Sequence, residues 1–473
     1  MPRFYRICFF FLCLVLPGVA FAAEKPAARQ EESVAAARVW ARDFSFHRLG
    51  PGNGPTMLVV GGIQGDEPGG FSAAALLVTN YTIASGSLWV VPNLNFPSIV
   101  ERNRGSFGDM NRKFAFMDAQ DPDFTVVRRI QEIILSPEVD LVLNLHDGSG
   151  FYRPLWENAT RNPQRWGQSI IIDQERMDAA GSKYPRLADM ANQAITDGNK
   201  FLLAAEHKYH LRNTYTAKGN QEMEKTLTWF AVRNGKAAFG VEASKEFTTE
   251  YRSYYHIHML ESFMRQMGIL FTRDFPLTPR GIRTAINSNV QVALYKNRVV
   301  LPLDNARPQQ AGYLPFKKGA SLEPAYTKPL LAMLPDAAGL RVAYGNRTLT
   351  RFIPEYMEYD ESLSSIEVEQ DGRVRRVNIG EVLAVKDTFA VRQVTGYRVN
   401  AIGAPKGKGY NVTLRKTDFT PRYSVDKNGT TYRVELYKDN AFAGMVLVRF
   451  GAAAPAAGEV ITARQGAEST LGF

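Results

Sequence analysis

The chain has almost no cysteine: two in 473 residues, Cys8 and Cys13, both close to the amino terminus. It also has no acidic residue before Glu24 and only six histidines. The single apolar run of note, Ile7 to Val19, falls short of the roughly 20 residues that a membrane helix requires. Each of these absences excludes something. A thiol-free body can carry neither disulfides nor cysteine-held zinc, so any metal must be bound by His, Asp, Glu or an amide oxygen. Without a spanning segment, no stable membrane insertion is expected.

What is present at the amino terminus gives the cysteines their context. Arg3 and Arg6 precede the apolar run, and Ala20-Phe21-Ala22 closes it with the small-x-small pattern that signal peptidase cuts. Residues 1–22 therefore read as a signal peptide and the product as periplasmic, with a retained anchor as the alternative. Phe11 and Leu12 are too large for lipid attachment at Cys13. The formal charge of +10 falls to +8 when Arg3 and Arg6 are removed. A basic surface favours anionic partners, or simply aids solubility. No nucleic-acid-binding motif is present.

The pattern changes near Pro276. From Thr56 to Met267, apolar strand-like runs (Met57–Val60, Leu88–Val91, Val139–Leu145, Ala237–Val241) alternate with helical stretches (Phe71–Tyr81, Phe124–Leu135, Arg186–Asp197, Tyr251–Met267). Alternation of this kind predicts an α/β fold with a mixed, mostly parallel sheet and flanking helices. After Pro276 short Val-, Tyr-, Thr- and Phe-rich runs recur between turns such as Lys427-Asn428-Gly429, which predicts two small β-rich domains at 276–372 and 373–452. Residues 453–473 read as a flexible tail, leaving 23–275 as the α/β domain.

Four stretches of that domain carry chemistry. Gly61-Gly62-Ile63-Gln64-Gly65-Asp66-Glu67 follows a strand, where open α/β sheets bind ligands. The three-residue spacing brings Gln64 and Glu67 to one face of a turn. Alone, the stretch also fits a surface turn. Val139–Leu145 delivers His146, whose neutral imidazole can bind a metal or serve structure. Arg102, Arg104 and Asp109-Met110-Asn111-Arg112 supply guanidinium groups suited to a carboxylate, or form a solvated basic loop. Glu242 ends an apolar strand where desolvation would let it act as a general base. The pairs His207/His210 and His256/His258 read as surface or packing residues.

In this order the stretches resemble the zinc carboxypeptidase family of carboxypeptidase A. That family reads His-x-x-Glu, an arginine, Asp-x-Asn-Arg, a strand-end histidine and a late glutamate. The resemblance implies the zinc carboxypeptidase fold, with one zinc ion held by Gln64, Glu67 and His146. It puts Arg102, or alternatively Arg104, at the scissile carbonyl, Asn111 and Arg112 at the terminal carboxylate, and Glu242 as general base. Tyr215 is a candidate substrate contact. Gln64 stands where the family has histidine, and Asp109 would accept a hydrogen bond from its amide and turn its oxygen toward the metal. With His146-Asp147-Gly148-Ser149-Gly150-Phe151-Tyr152 and the β modules, the chain is similar to peptidoglycan DL-carboxypeptidases that set cell shape by trimming tripeptide stems and releasing meso-diaminopimelate. Two rival readings remain open. One is an amidohydrolase of the succinylglutamate desuccinylase and aspartoacylase type, and the other is a wall-binding protein whose metal site has decayed.

Overall fold

The computed structural model describes residues 43–178, 182–337, 339–405, 407 and 409–451. The expected signal peptide and the tail lie outside them. Among the described residues the amino-terminal unit has eleven strands: β1 (His47–Leu49), β2 (Thr56–Val60), β3 (Tyr81–Ser85), β4 (Ser87–Val91), β5 (Leu141–Gly148), β6 (Phe151–Tyr152), β7 (Arg161–Asn162), β8 (Ser169–Ile172), β9 (His210–Asn213), β10 (Ala237–Ser244) and β11 (Leu270–Arg273). Its main sheet runs β1-β4-β2-β5-β10-β8-β9. Strands β4, β2, β5 and β10 pair in parallel, whereas β1 and β8 join antiparallel. Every residue of β2, β5 and β10 is buried, as expected for continuous Val-, Leu- and Ala-rich runs covered on both faces.

Six helices among the described residues clothe this sheet: α1 (Pro68–Asn80), α2 (Phe96–Glu101), α3 (Phe124–Leu135), α4 (Leu187–Gly198), α5 (Leu227–Arg233) and α6 (Thr249–Gln266). Helices α1 and α4 pack against α6 on one face, while α3 packs with α5 on the other. The boundaries of α3 coincide with the sequence-based expectation, and those of α1, α4 and α6 shift by one to three residues. The informative difference is in β5 and β10. Their ladder continues to Gly148 and Ser244, so His146 and Glu242 lie inside paired strands rather than just beyond them.

A seventh helix, α7 (Pro279–Asn287), packs back onto α1 and α6. Its first turn is capped by Thr278, whose Oγ1 accepts the Gly281 N–H at 3.0 Å. The remainder is β-rich, as expected. A three-stranded and a four-stranded sheet built from residues 291–357 share one continuous core with the α/β unit. Two four-stranded sheets then enclose a separate core from Leu363 to Phe450.

The α6 histidines are packing residues. His256 is fully buried. The His258 ring stacks on Phe201 and meets Tyr254 edge-on, each at 4.4 Å between centroids. Its Nε2 has no hydrogen-bond partner among the described residues. Burial, with Arg273 and Arg265 nearby, lowers its pKa to about 4. Because the unfolded chain then binds a proton that the folded chain refuses, this residue costs nothing above about pH 6.5 and costs progressively more as pH falls toward 4, reaching roughly 3 kcal/mol. His258→Phe should flatten that part of the pH dependence of urea unfolding. An unchanged slope would show that His258 protonates freely in the folded state.

Candidate active site

Parallel pairing of β5 with β10 sets Glu242 level with His146 on adjacent strands, and side chains at equal register point to the same face. The next pair, Asp147 and Ala243, therefore points to the opposite face. There Asp147 accepts bonds from the Gly69 N–H (2.7 Å), Arg252 (3.1 Å) and His256 Nε2 (3.1 Å). Burial opposes ionisation of Asp147, but His256 and Arg252 outweigh it and hold the carboxyl below its usual range. This completely buried carboxylate ties the end of β5 to α1 and α6. Its own N–H donates to Glu67 Oε2 at 3.1 Å, fixing Glu67 beside His146.

Gln64 enters from the turn after β2. Gly65 follows it because a Cβ there would lie 2.0 Å from the Ser98 carbonyl carbon, so the turn seats directly against α2. The Gln64 amide donates from Nε2 to Asp109 Oδ1 at 2.8 Å. Asp109 also accepts the Asn111 N–H at 3.0 Å and Arg104 Nε at 3.0 Å. Burial opposes the charge on Asp109, yet the Gln64 bond and Arg104 keep its pKa depressed. With the amide nitrogen so engaged, the carbonyl oxygen faces the other way, 3.1 Å from His146 Nδ1. Glu67 Oε2 lies 3.0 Å from the same nitrogen.

This donor set fits a divalent cation. Among the described residues no group of three His, Cys, Asp or Glu gathers at one point, because the third donor here is an amide. Gln64 Oε1 and Glu67 Oε2 converge on His146 Nδ1 at 3.0–3.1 Å, a little inside the roughly 3.4 Å separating donors about 2.1 Å from one tetrahedral ion. Their net charge of one negative suits a small divalent metal.

A cavity of about 280 Å³ opens beside this cluster, lined by Gln64, Glu67, Arg104, Asn111, Arg112, His146 and Glu242 among others. Asn111 is fixed by the Leu227 N–H, which donates to its Oδ1 at 3.0 Å. Glu242 is 7% exposed and its Oε2 has no partner among the described residues. Burial first, then the negative charges of Glu67 and Asp147, push its pKa up to about 8 against the opposing pull of His146 and Arg104.

Two sequence candidates stay outside. Arg102 is the left-handed C-cap residue of α2, with φ 61°, and its exposed side chain lies within electrostatic reach of Arg341. Arg104, two residues on, lines the cavity and reaches Glu67 Oε1 at 3.4 Å. Tyr215, also left-handed, is 49% exposed and takes no part in the cavity wall. Conversely, sequence reasoning missed the cavity-lining Lys245, whose Nζ is 2.7 Å from Asp66 and 3.6 Å from Glu67. It also missed Trp166, Thr226 and Thr228. Lys245 lies three residues past Glu242, a spacing that could have flagged it.

Comparison with known proteins places this geometry in a family. The family model described as the catalytic domain of carboxypeptidases controlling helical cell shape matches residues 48–287, and one described as the C-terminal domain of metallo-carboxypeptidase matches 359–451. The tripeptide-bound cell shape determinant Csd4 from Helicobacter pylori is 38% identical, covering 86% of this chain and 100% of that one, with a TM-score of 0.79. The mDAP-bound form, described as a D,L-carboxypeptidase, is 38% identical over 85% of this chain and all of that one, again at 0.79. An N-alpha-acetyl-L-2,4-diaminobutyric acid deacetylase from Halomonas elongata is 35% identical over 105 residues, which is 20% of this chain and 30% of that enzyme.

Removing Asp109 as Asp109→Ala should lower metal affinity about 10- to 100-fold in competition against a chelator, and Gln64→Ala should lower it at least as far. Wild-type affinity in both variants would show that the Gln64 amide is not a ligand. Resting on the match to both its halves and to solved relatives of full length, the chain belongs to the metallo-carboxypeptidase family that controls helical cell shape.

Proposed function

We propose that the protein is an exported, zinc-dependent DL-carboxypeptidase that trims a peptidoglycan stem tripeptide to the dipeptide, releases meso-diaminopimelate and so influences cell shape. The observation that carries this reading is the convergence of Gln64 Oε1, Glu67 Oε2 and His146 Nδ1 beside the buried, unpartnered Glu242 Oε2. Support for the substrate comes from the relatives described with tripeptide and with mDAP bound. The deacetylase likeness covers a fifth of the chain and does not favour the amidohydrolase alternative.

One zinc ion held by Gln64, Glu67 and His146 would supply Lewis acidity toward the scissile carbonyl and acidify a water. Glu242 takes the proton from the attacking water and returns it to the departing amine. With its pKa raised by burial, Glu242 is a stronger base than a solvated carboxylate, and a cation beside it favours the ionised form at neutral pH. Arg104 is the guanidinium placed to steady negative charge on the carbonyl oxygen. Asn111 and Arg112 hold the substrate's free carboxylate, which restricts the enzyme to a terminal residue. Lys245 neutralises Asp66 and Glu67 at the rim and adds to the positive field that draws in an acidic peptide.

Mass spectrometry of muropeptides incubated with the protein should show tripeptide converted to dipeptide, and chelator should abolish the conversion. Glu242→Ala should retain the metal yet lose at least about 10³-fold in rate, whereas His146→Ala should lose both. Hydrolysis of N-acyl amino acids with muropeptides untouched would overturn the reading in favour of an amidohydrolase. Bound muropeptide without turnover and without zinc would point instead to a decayed wall-binding protein.

A further inference from the structure

A second cavity, of about 140 Å³, lies where helices α1, α6 and α7 meet the β-rich unit of residues 291–357. It shares no lining residue with the catalytic cleft. Residues 288–358 fall between the two segments that the family models match, so the β-rich wall of this cavity belongs to neither.

That wall is seated closely. The strands Gly339–Tyr344 and Arg347–Met357 form a hairpin whose turn, Gly345-Asn346, is closed by the Tyr344–Arg347 pair. Gly345 has φ 55°, and a Cβ there would lie 2.9 Å from the Phe71 ring of α1, so only glycine allows the approach. Its N–H donates to the Leu330 carbonyl at 2.8 Å. Phe71, Ile286 and Leu330, none more than 7% exposed, make up the apolar part of the lining.

The polar part carries one uncompensated charge. Glu250 is matched by Arg283, whose Nε donates to Glu250 Oε1 at 2.9 Å. Arg347 has no such partner. Its Nη1 donates to Asn287 Oδ1 at 3.1 Å, and its guanidinium lies 5.4 Å from the centroid of the Tyr344 ring. Both neighbours are neutral, and no carboxylate pairs with Arg347 among the described residues. Asn287 is itself fixed, because its Nδ2 donates to the Arg283 carbonyl at 2.6 Å. Arg347 is thus held in place with most of its five N–H donors unclaimed. The Ser72 hydroxyl likewise has no hydrogen-bond partner among the described residues, although Ser72 is only 6% exposed and lines the cavity. A buried hydroxyl left in this state costs free energy until a ligand bonds to it.

We propose that this cavity is a second binding site, separate from the catalytic cleft, for a small carboxylate with a short apolar body. The carboxylate pairs with Arg347 in the bidentate manner that guanidinium favours. The Ser72 hydroxyl and the Asn346 amide are the further groups placed to bond to it, and the body rests on Phe71, Ile286 and Leu330. Thr249 and Glu250 open α6, whose amino-terminal partial charge adds to the attraction. One spare positive charge suits a monoanion, whereas phosphate would bring excess charge and leave the apolar lining uncovered.

The test follows two methyl resonances in the isotope-labelled full chain, Ile286 for this cavity and Ile171 for the catalytic cleft. The probes are propionate, the neutral isostere propionamide, and inorganic phosphate. Propionate should shift Ile286 saturably, with zinc or with chelator, and bind there at least about tenfold more tightly than either of the others. Arg347 is exposed, so Arg347→Gln should keep the wild-type thermal midpoint. It should weaken propionate binding at Ile286 at least about tenfold and leave the Ile171 response unchanged. Ser72→Ala should weaken binding at Ile286 several-fold. The assignment is overturned by any of three results: no saturable shift at Ile286, propionamide or phosphate binding there as tightly as propionate, or wild-type affinity in Arg347→Gln.

Discussion

The parallel pairing of β5 with β10 is the constraint on which the site depends. It fixes His146 and Glu242 at one level on one face, and it leaves Asp147 on the other face, where it bonds to helices that could not otherwise reach the metal site. A slip of one residue in this pairing would turn Glu242 into the helical layer and leave a carboxylate buried without counter-charge. Two strands buried on both faces permit no such slip, because every residue along them packs. The precision of the chemistry is thus inherited from the most hydrophobic part of the molecule.

Two carboxylates, Asp147 fully buried and Asp109 half-buried, then do complementary work. Asp147 holds Glu67 through its backbone N–H, and Asp109 holds Gln64 through its side chain. Each is compensated: Asp147 by Arg252 and His256, Asp109 by Arg104 and the Gln64 amide. In the proposed site an amide in place of an imidazole would lower the intrinsic strength of the ligand set, but Asp109 removes the rotational freedom that would weaken it further. Glu242 is the contrast. Its free oxygen has no partner among the described residues, which suits the proton-transfer role proposed for it.

Much of this was readable in the sequence, and the parts that were not have physical causes. The central strands β2, β4, β5 and β10 and helices α1, α3, α4 and α6 announce themselves by apolar period, whereas β1, β8 and β9 do not, and Gln64, Glu67, His146 and Glu242 stand out by their places at or just after such runs taken together with the family resemblance. The pairing of Asp109 with Gln64 could be anticipated because an amide ligand needs an acceptor. Arg102 and Arg104 could not be separated, since sequence spacing does not reveal that Arg102 caps α2 in a left-handed conformation while Arg104 folds back over Glu67. Tyr215 likewise depends on the course of a loop. The ladder of β5 and β10 ran longer than expected because polar residues at its end find partners within the fold.

The central claim is that one imidazole, one carboxylate and one amide oxygen hold the metal. X-ray absorption spectroscopy of the zinc-loaded protein counts imidazole ligands directly through multiple scattering. Wild type should show a first shell of nitrogen and oxygen with a single imidazole, and Gln64→His should show two. A wild-type shell containing two imidazoles, or none, would contradict the assignment of Gln64, Glu67 and His146.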